Sequence, residues 1–493
     1  MGIPSPGEAP AELPILLLAG LVAWVIVVAV RPESLLVLLA VLALLVQGPL
    51  YYFLGWTRAA WLPYLLSAMA AVRVPMAWSG KRAPPVDTQA CRPLYFTLGA
   101  LGLYAVALVA AAVWNRPGLG QLAAGFKATL TYWVITTLLL LDRDAERGYP
   151  RLWSLFYVAF FLQLPLVLFQ HFYIVPLRPD TTETRLDAVV GSFGGNMYGG
   201  GASASLAVFT LFVVAYQLSR LLRGRAGAVP SVIVLATGLV IILAGEVKAV
   251  FFWIPAVVIF LHRARFASDR LRSALAMVAT VAVLAVIYVT YDTFYWDQSR
   301  AYNVAQRVEE MSYPLDPSFV NRRTGEVSRG ASISLWFSDG EVDAAHRVFG
   351  HGPGSSHVSA TVGPGEVAER FAPLHIAATT MARLLWDAGI LGLLSFSAII
   401  LGALVMAARL GNHVGVSPDE QARLEALGAL LLISCSLLVY NRSLIDDPAI
   451  SLLLAFAVGY TGSRWLLVAR RASAAAGTTD PQRVPAGLHA TSS

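Results

Sequence analysis

The stretch Val232-Ile-Val-Leu-Ala-Thr-Gly-Leu-Val-Ile-Ile-Leu-Ala-Gly-Glu246-Val-Lys248-Ala-Val-Phe-Phe-Trp-Ile-Pro-Ala-Val-Val-Ile-Phe-Leu261 decides the fold. It is two apolar blocks, Val232–Ala244 and Val250–Leu261, broken by Glu246 and Lys248. Arginines bracket it: Arg220, Arg223 and Arg225 before, and Arg263, Arg265, Arg270 and Arg272 after. A chain that leaves one basic loop, runs apolar, turns at two charges and returns to another basic loop reads as a membrane hairpin. Both arginine clusters then lie on the cytoplasmic side. The bilayer offers the backbone no hydrogen-bond partners, and the alternation of a barrel strand is absent. The spanning form is therefore helical.

The same pattern extends outward in both directions. Of 493 residues, 57% are hydrophobic and 13% charged, where a soluble chain carries about a quarter charged. Further candidate spans are Leu13–Val30, Leu35–Leu54, Ala59–Ala71, Leu94–Val113, Ala123–Leu141, Trp153–Val175 and Ala202–Leu218. Beyond the hairpin come Ala274–Tyr291, Ile390–Ala408, Ala426–Tyr440 and Ala449–Ser463. The expected fold is all-α, one polytopic transmembrane helix bundle over residues 1–471 with about twelve to fourteen spans. Leu13–Val30 lacks a basic n-region and a small-residue cleavage site, so it reads as a retained span. An odd span count puts the amino end outside. Residues 472–493, rich in Ala, Thr, Pro and Ser, read as a disordered cytoplasmic tail. Cys91 and Cys435 fall at different depths and imply no disulfide. The net charge of +6 is loop arginine of the positive-inside kind, not a nucleic-acid surface.

Arg143, Arg147, Arg151, Arg409, Arg423, Arg464, Arg470 and Arg471 fall on the same expected side as the two clusters around the hairpin. The intervening loops then face outside, including the polar stretch 292–374. Positive residues should be depleted there, so each asks for a reason: Arg178, Arg185, Lys248, Arg329 and Arg442. A guanidinium fork binds phosphate oxygens bidentately without losing its charge, so such a gathering suits a phosphate or diphosphate at the membrane surface. The bland alternative pairs these arginines with loop acids. Glu246 and Lys248 either line a polar site or form a hairpin tip at the surface. His375 stands where the loop re-enters the next span, either as a general base or as an interfacial anchor. His351, His357 and His375 match no zinc spacing, so no metal is expected. Gly191–Gly201 and Gly350-His351-Gly352-Pro353-Gly354 match no nucleotide loop. They suit tight turns or the approach of backbone amides to an anion.

Four segments carry a resemblance. They are Arg185–Asn196 with Gly191-Ser-Phe193-Gly194-Gly195-Asn196, Leu243-Ala-Gly245-Glu246-Val-Lys248, Ser328-Arg329-Gly330 to Trp336 followed by Gly350–Gly354, and His375 followed by Leu384–Gly392. In order and spacing they resemble the O-antigen ligase and Wzy-type polysaccharide polymerase superfamily of bacterial membranes. Met197, Glu246 and Ile376 depart from its patterns. The resemblance implies transfer of an oligosaccharide from a polyprenyl-diphosphate-linked donor to an acceptor sugar hydroxyl, at the outer face of the cytoplasmic membrane. It implies no nucleotide cofactor and no metal. Arg185, Arg329, Lys248 and Arg178 would hold the diphosphate, with His375, Arg329 and Glu246 at the chemistry. Its partners would be the lipid-linked oligosaccharide, the acceptor glycan, membrane lipids, a flippase and a chain-length regulator. A polymerase is the leading form. A ligase that moves polymer to a lipid or protein acceptor is the alternative, and a lipid-linked oligosaccharide transporter or a scaffold stands outside the enzyme class.

Overall fold

Each apolar block within the described residues forms a helix, because intrahelical hydrogen bonds are the means by which an apolar segment satisfies its backbone in lipid. The structure, a computed structural model, describes residues 31–78, 88–142, 146–178, 185–195, 197, 201–266, 269–294, 313–359 and 362–478. The helices of the first half are α1 (Pro32–Leu54), α2 (Thr57–Ala77), α3 (Arg92–Asn115), α4 (Leu119–Thr129), α5 (Trp133–Leu141), α6 (Pro150–Leu177), α7 (Ser203–Leu222), α8 (Ala228–Gly245), α9 (Val250–His262) and α10 (Arg270–Phe294). Three short helices, α11 (Arg329–Ser338), α12 (Ala344–Phe349) and α13 (Glu366–Arg370), occupy the large loop. Then come α14 (Thr380–Leu410), α15 (Pro418–Tyr440), α16 (Ser443–Asp446) and α17 (Pro448–Thr478).

Among the described residues ten helices are long and apolar enough to cross a membrane, and α4 with α5, joined at a 46° bend, pass the same test only as a pair. The chain is a multi-pass all-α membrane protein. The twelve expected spans that fall on described residues all coincide with these helices, counting the short α9. The remaining one, Leu13–Val30, lies outside the described residues. α9 has 13 residues, about 20 Å of rise against a hydrocarbon core of about 30 Å. Its Phe252 and Ile259 are exposed on the outside of the bundle. The last helix runs to Thr478 through the alanines at 472, 474, 475 and 476, good helix formers, and so enters the stretch read as tail. Residues 479–493 lie outside the described residues.

The two ends of the bundle differ. At the basic end Glu425 is buried. It accepts from Ser219 and from Arg223 Nη2 at 2.6 Å, with Arg263 Nη1 3.8 Å away. Arg225 pairs with Asp419. Glu420 takes Arg423 at 3.2 Å, Arg464 at 2.9 Å and the Tyr460 hydroxyl at 3.0 Å. These bonds tie α7, α9, α15 and α17 together.

Between the ends lies an aromatic core in which Trp153 meets Phe156, Phe212, Tyr216, Phe456 and Tyr460. Small residues let helices close in. A Cβ on Gly459 would sit 2.7 Å from the Thr136 Cα, the kind of contact that drives helix association in lipid.

At the other end the loop folds on itself. Hairpins β1 (Val320–Asn321)–β2 (Glu326–Val327) and β3 (Val358–Ser359)–β4 (Gly363–Pro364) flank α11 to α13. Val327, Ala331, Trp336, Val342, Val367 and Leu374 form a separate small core against Leu385 and Trp386 of α14.

Candidate functional site

The helix ends fix which charges meet. α1 starts at the basic end, where Glu33 accepts the Arg151 amide at 2.8 Å. It reaches the loop end at Gly48, which is packed so closely on the Ser192–Gly194 backbone that a Cβ would collide with it. Gln163 and Gln170 of α6 pin the same turn. Gln170 Oε1 accepts from the amides of Val190 and Gly191 at 2.9 and 2.7 Å, and Gln163 Oε1 accepts from the Ser192 amide at 2.8 Å. Three buried side-chain amide bonds to one turn fix its backbone against α6.

This pinned turn follows the short helical segment Arg185–Ala188, which carries Asp187. Arg178, buried at the end of α6, and Lys248, exposed at the α8–α9 tip, both act on the Asp187 carboxyl. Burial pushes that carboxyl above the usual aspartate range, and the two cations pull it partly back. Asp187 in turn faces Tyr440 at the end of α15, over whose ring Arg329 lies at 4.2 Å. Ser328 caps α11, its hydroxyl accepting the Ala331 amide at 2.9 Å, and so sets Arg329 at the first helical position. Arg178, Lys248 and Arg329 come from three separate segments and gather around Asp187 and Tyr440.

The glycine-rich run makes both tight turns and an amide contact to an anion. α14 breaks at Gly389, with φ 67° and ψ −169°, and the freed carbonyls of Trp386 and Asp387 accept the amides of His351 and Gly352 at 2.8 and 3.1 Å. Gly350, Gly352 and Gly354 all have positive φ, which suits glycine. The loop then closes on the Asp387 carboxylate. That group accepts from the Gly354 amide at 3.0 Å, the Ser355 hydroxyl at 3.0 Å, and the Ser356 amide and hydroxyl at 3.0 and 2.8 Å. The amides do approach an anion, and it is the protein's own.

Arg383, fully buried one turn earlier, lies 3.5 Å from Asp387 and pairs with Asp446. Arg442 Nε also binds Asp446, at 3.0 Å. Burial pushes Asp447 up to about 6, against a hydroxyl bond from Ser205 and the amides of Ala449 and Ile450.

Of the residues singled out in the sequence, Arg178, Lys248 and Arg329 come together. Arg185 shares the Asp187 segment, and its side chain lies outside the described residues. Glu246 is half-buried and ends α8 in a left-handed conformation, φ 47°, so the tip is a non-helical turn. His375 is exposed. Its amide donates to Gly325 at 2.8 Å, and its ring packs beside that glycine at the turn between β1 and β2. Among the described residues no hydrogen bond, ion pair or ring contact joins its side chain to the Arg329 group. Arg442 belongs to the Asp446 network.

Sequence reasoning missed Asp187, Tyr440 and Arg383. The i,i+4 spacing of Arg383 and Asp387 in a span-entry segment was a readable signal for one of them. No protein-family model matches the chain, and no curated protein matches it.

Proposed function

We propose that this protein is a membrane glycan polymerase that transfers an oligosaccharide from a polyprenyl diphosphate to an acceptor sugar hydroxyl outside the cytoplasm. The observation that carries the reading is the gathering of Arg178 and Lys248 about Asp187, with Arg329 over the ring of the Tyr440 that Asp187 faces, at the bundle end opposite the arginine-rich loops. In the proposed step the acceptor oxygen bonds to the anomeric carbon and the carbon–oxygen bond to the diphosphate breaks. The diphosphate leaves with its added charge among the three cations, whose fixed positions favour that charge. The acceptor proton goes to Asp187, whose raised carboxyl suits a base, or to His375 reaching over from the loop. Glu246 and Arg185 stand at the edges of the same space by their place in the chain.

A ligase would use the same donor site with a different acceptor. The broken α4–α5 crossing favours one further reading, a transporter, because discontinuous helices recur in such folds. Purified protein in proteoliposomes, given lipid-linked oligosaccharide, separates the three. Longer lipid-linked chains support the polymerase, and transfer to a lipid-core or protein acceptor supports the ligase. Movement of the lipid without new glycosidic bonds would sink both.

A further inference from the structure

Lys127 lies on α4, inside the broken crossing, where a lysine is costly and points to a partner or ligand. Its ammonium rests over the rings of Trp61 and Tyr64, 4.3 and 5.2 Å from their centroids. Among the described residues no carboxylate forms an ion pair with it. His357 faces the same region. Its Nδ1 is buried without a hydrogen-bond partner and stands 3.9 Å from Asp446, beyond hydrogen-bond reach. Burial and then Arg383, Arg442 and Lys127 push the imidazole well below its ordinary range. Arg383 is spent on Asp387 and Asp446. Arg442 shares Asp446 and keeps 45% of its side chain exposed. Asp447, the third carboxylate of this cluster, accepts from the Ala449 and Ile450 amides, and among the described residues no ion pair joins it to Lys127.

We propose that Lys127, Arg442 and His357 form a second anion subsite, separate from the Arg178–Lys248–Arg329 group, that takes the phosphate of a membrane-anchored lipid. Lys127 and Arg442 supply charge, and His357 Nδ1 supplies the hydrogen-bonding atom that the protein leaves unused. The two subsites are adjacent. Tyr440 belongs to one and Arg442 to the other, and only Asn441 separates them. Its carbonyl is held by the Thr380 amide and hydroxyl, both at 2.8 Å. Resting on the function proposed above, the subsite identifies the acceptor as a second lipid-linked glycan, which a polymerase requires and a ligase does not.

The test uses the full-length protein in detergent and calorimetric titration with farnesyl diphosphate and, separately, inorganic pyrophosphate. Wild type should bind two equivalents of farnesyl diphosphate, Lys127→Gln one, Arg329→Ala one, and the double variant none. Lys127→Arg should restore the second equivalent, which a purely structural role for the neutral Gln side chain would not explain. Arg442→Gln, on a half-exposed side chain, should give the same loss if Lys127→Gln fails to fold. Two equivalents retained in both Lys127→Gln and Arg442→Gln would overturn the subsite. Inorganic pyrophosphate filling the Lys127-dependent site as tightly as farnesyl diphosphate would overturn its lipid source. Loss of an equivalent in Lys127→Gln but not in Arg329→Ala would keep this subsite and sink the donor site instead.

Discussion

Both ends of the bundle pair arginines with carboxylates, and the loop end adds a group of cations set around one aspartate and a tyrosine ring. At the basic end arginines meet carboxylates that bridge helices: Arg223 and Arg263 on Glu425, Arg225 on Asp419, and Arg423 and Arg464 on Glu420. At the loop end Arg178, Lys248 and Arg329 converge from distant segments on Asp187 and a tyrosine ring. The number of arginines in a loop therefore says which way the chain is threaded. The groups that meet each arginine say whether it clamps helices or is available to an anion.

The largest expected effect tests the clamp. Glu425→Ala leaves Arg223 buried beside no carboxylate and should cost about 3–5 kcal/mol, read as thermal unfolding in detergent. Diphosphate binding per folded molecule should not change, and lost binding would erase the distinction between the ends. Next, Arg329→Ala should lower glycan transfer by about 100-fold or more with an unfolding midpoint near wild type. A matching loss of stability would make Arg329 another clamp.

Gly48→Ala touches no charge. Its Cβ collides with the Ser192–Gly194 backbone, so it should cost about 1–3 kcal/mol and weaken diphosphate binding by moving the segment that carries Asp187. Unchanged binding would show that the pinned turn does not position the site.

The smallest effect concerns pH. Burial first, then His346 and Arg370, lower His351 to about 4 from an ordinary 6.5. A depressed histidine contributes stability that is present above about 6.5 and lost as pH falls toward 4. The unfolding midpoint should drop by a few degrees over that window, and His351→Gln should remove part of the drop. A pH slope unaltered by the substitution would assign it to other groups.

Most helices were legible because they are long apolar runs, and an apolar run has one solution in lipid. Orientation relative to one another was legible too, since the arginine clusters recur every second crossing. The site was legible only where a charge broke an apolar pattern, as at Glu246–Lys248, or stood on the unexpected side, as at Arg178 and Arg329. Asp187 gave no such signal, because a single aspartate in a polar loop is ordinary until Arg178 and Lys248 are brought to it. Tyr440 reads as an interfacial aromatic closing a span, and its partner Arg329 lies 111 positions earlier in the chain. Gly350–Gly354 carried the right local chemistry, and its anion, Asp387, comes within reach only where α14 breaks at Gly389.

The short helix α9 has a consequence for the surrounding lipid. With about 20 Å of rise and lipid-facing Phe252 and Ile259, it is about 10 Å too short for an undistorted hydrocarbon layer. Such a mismatch is met by local thinning of the bilayer, by snorkelling of flanking residues or by association with another helix. Thinning would bring the headgroup plane toward Lys248, which stands exposed at the α8–α9 tip.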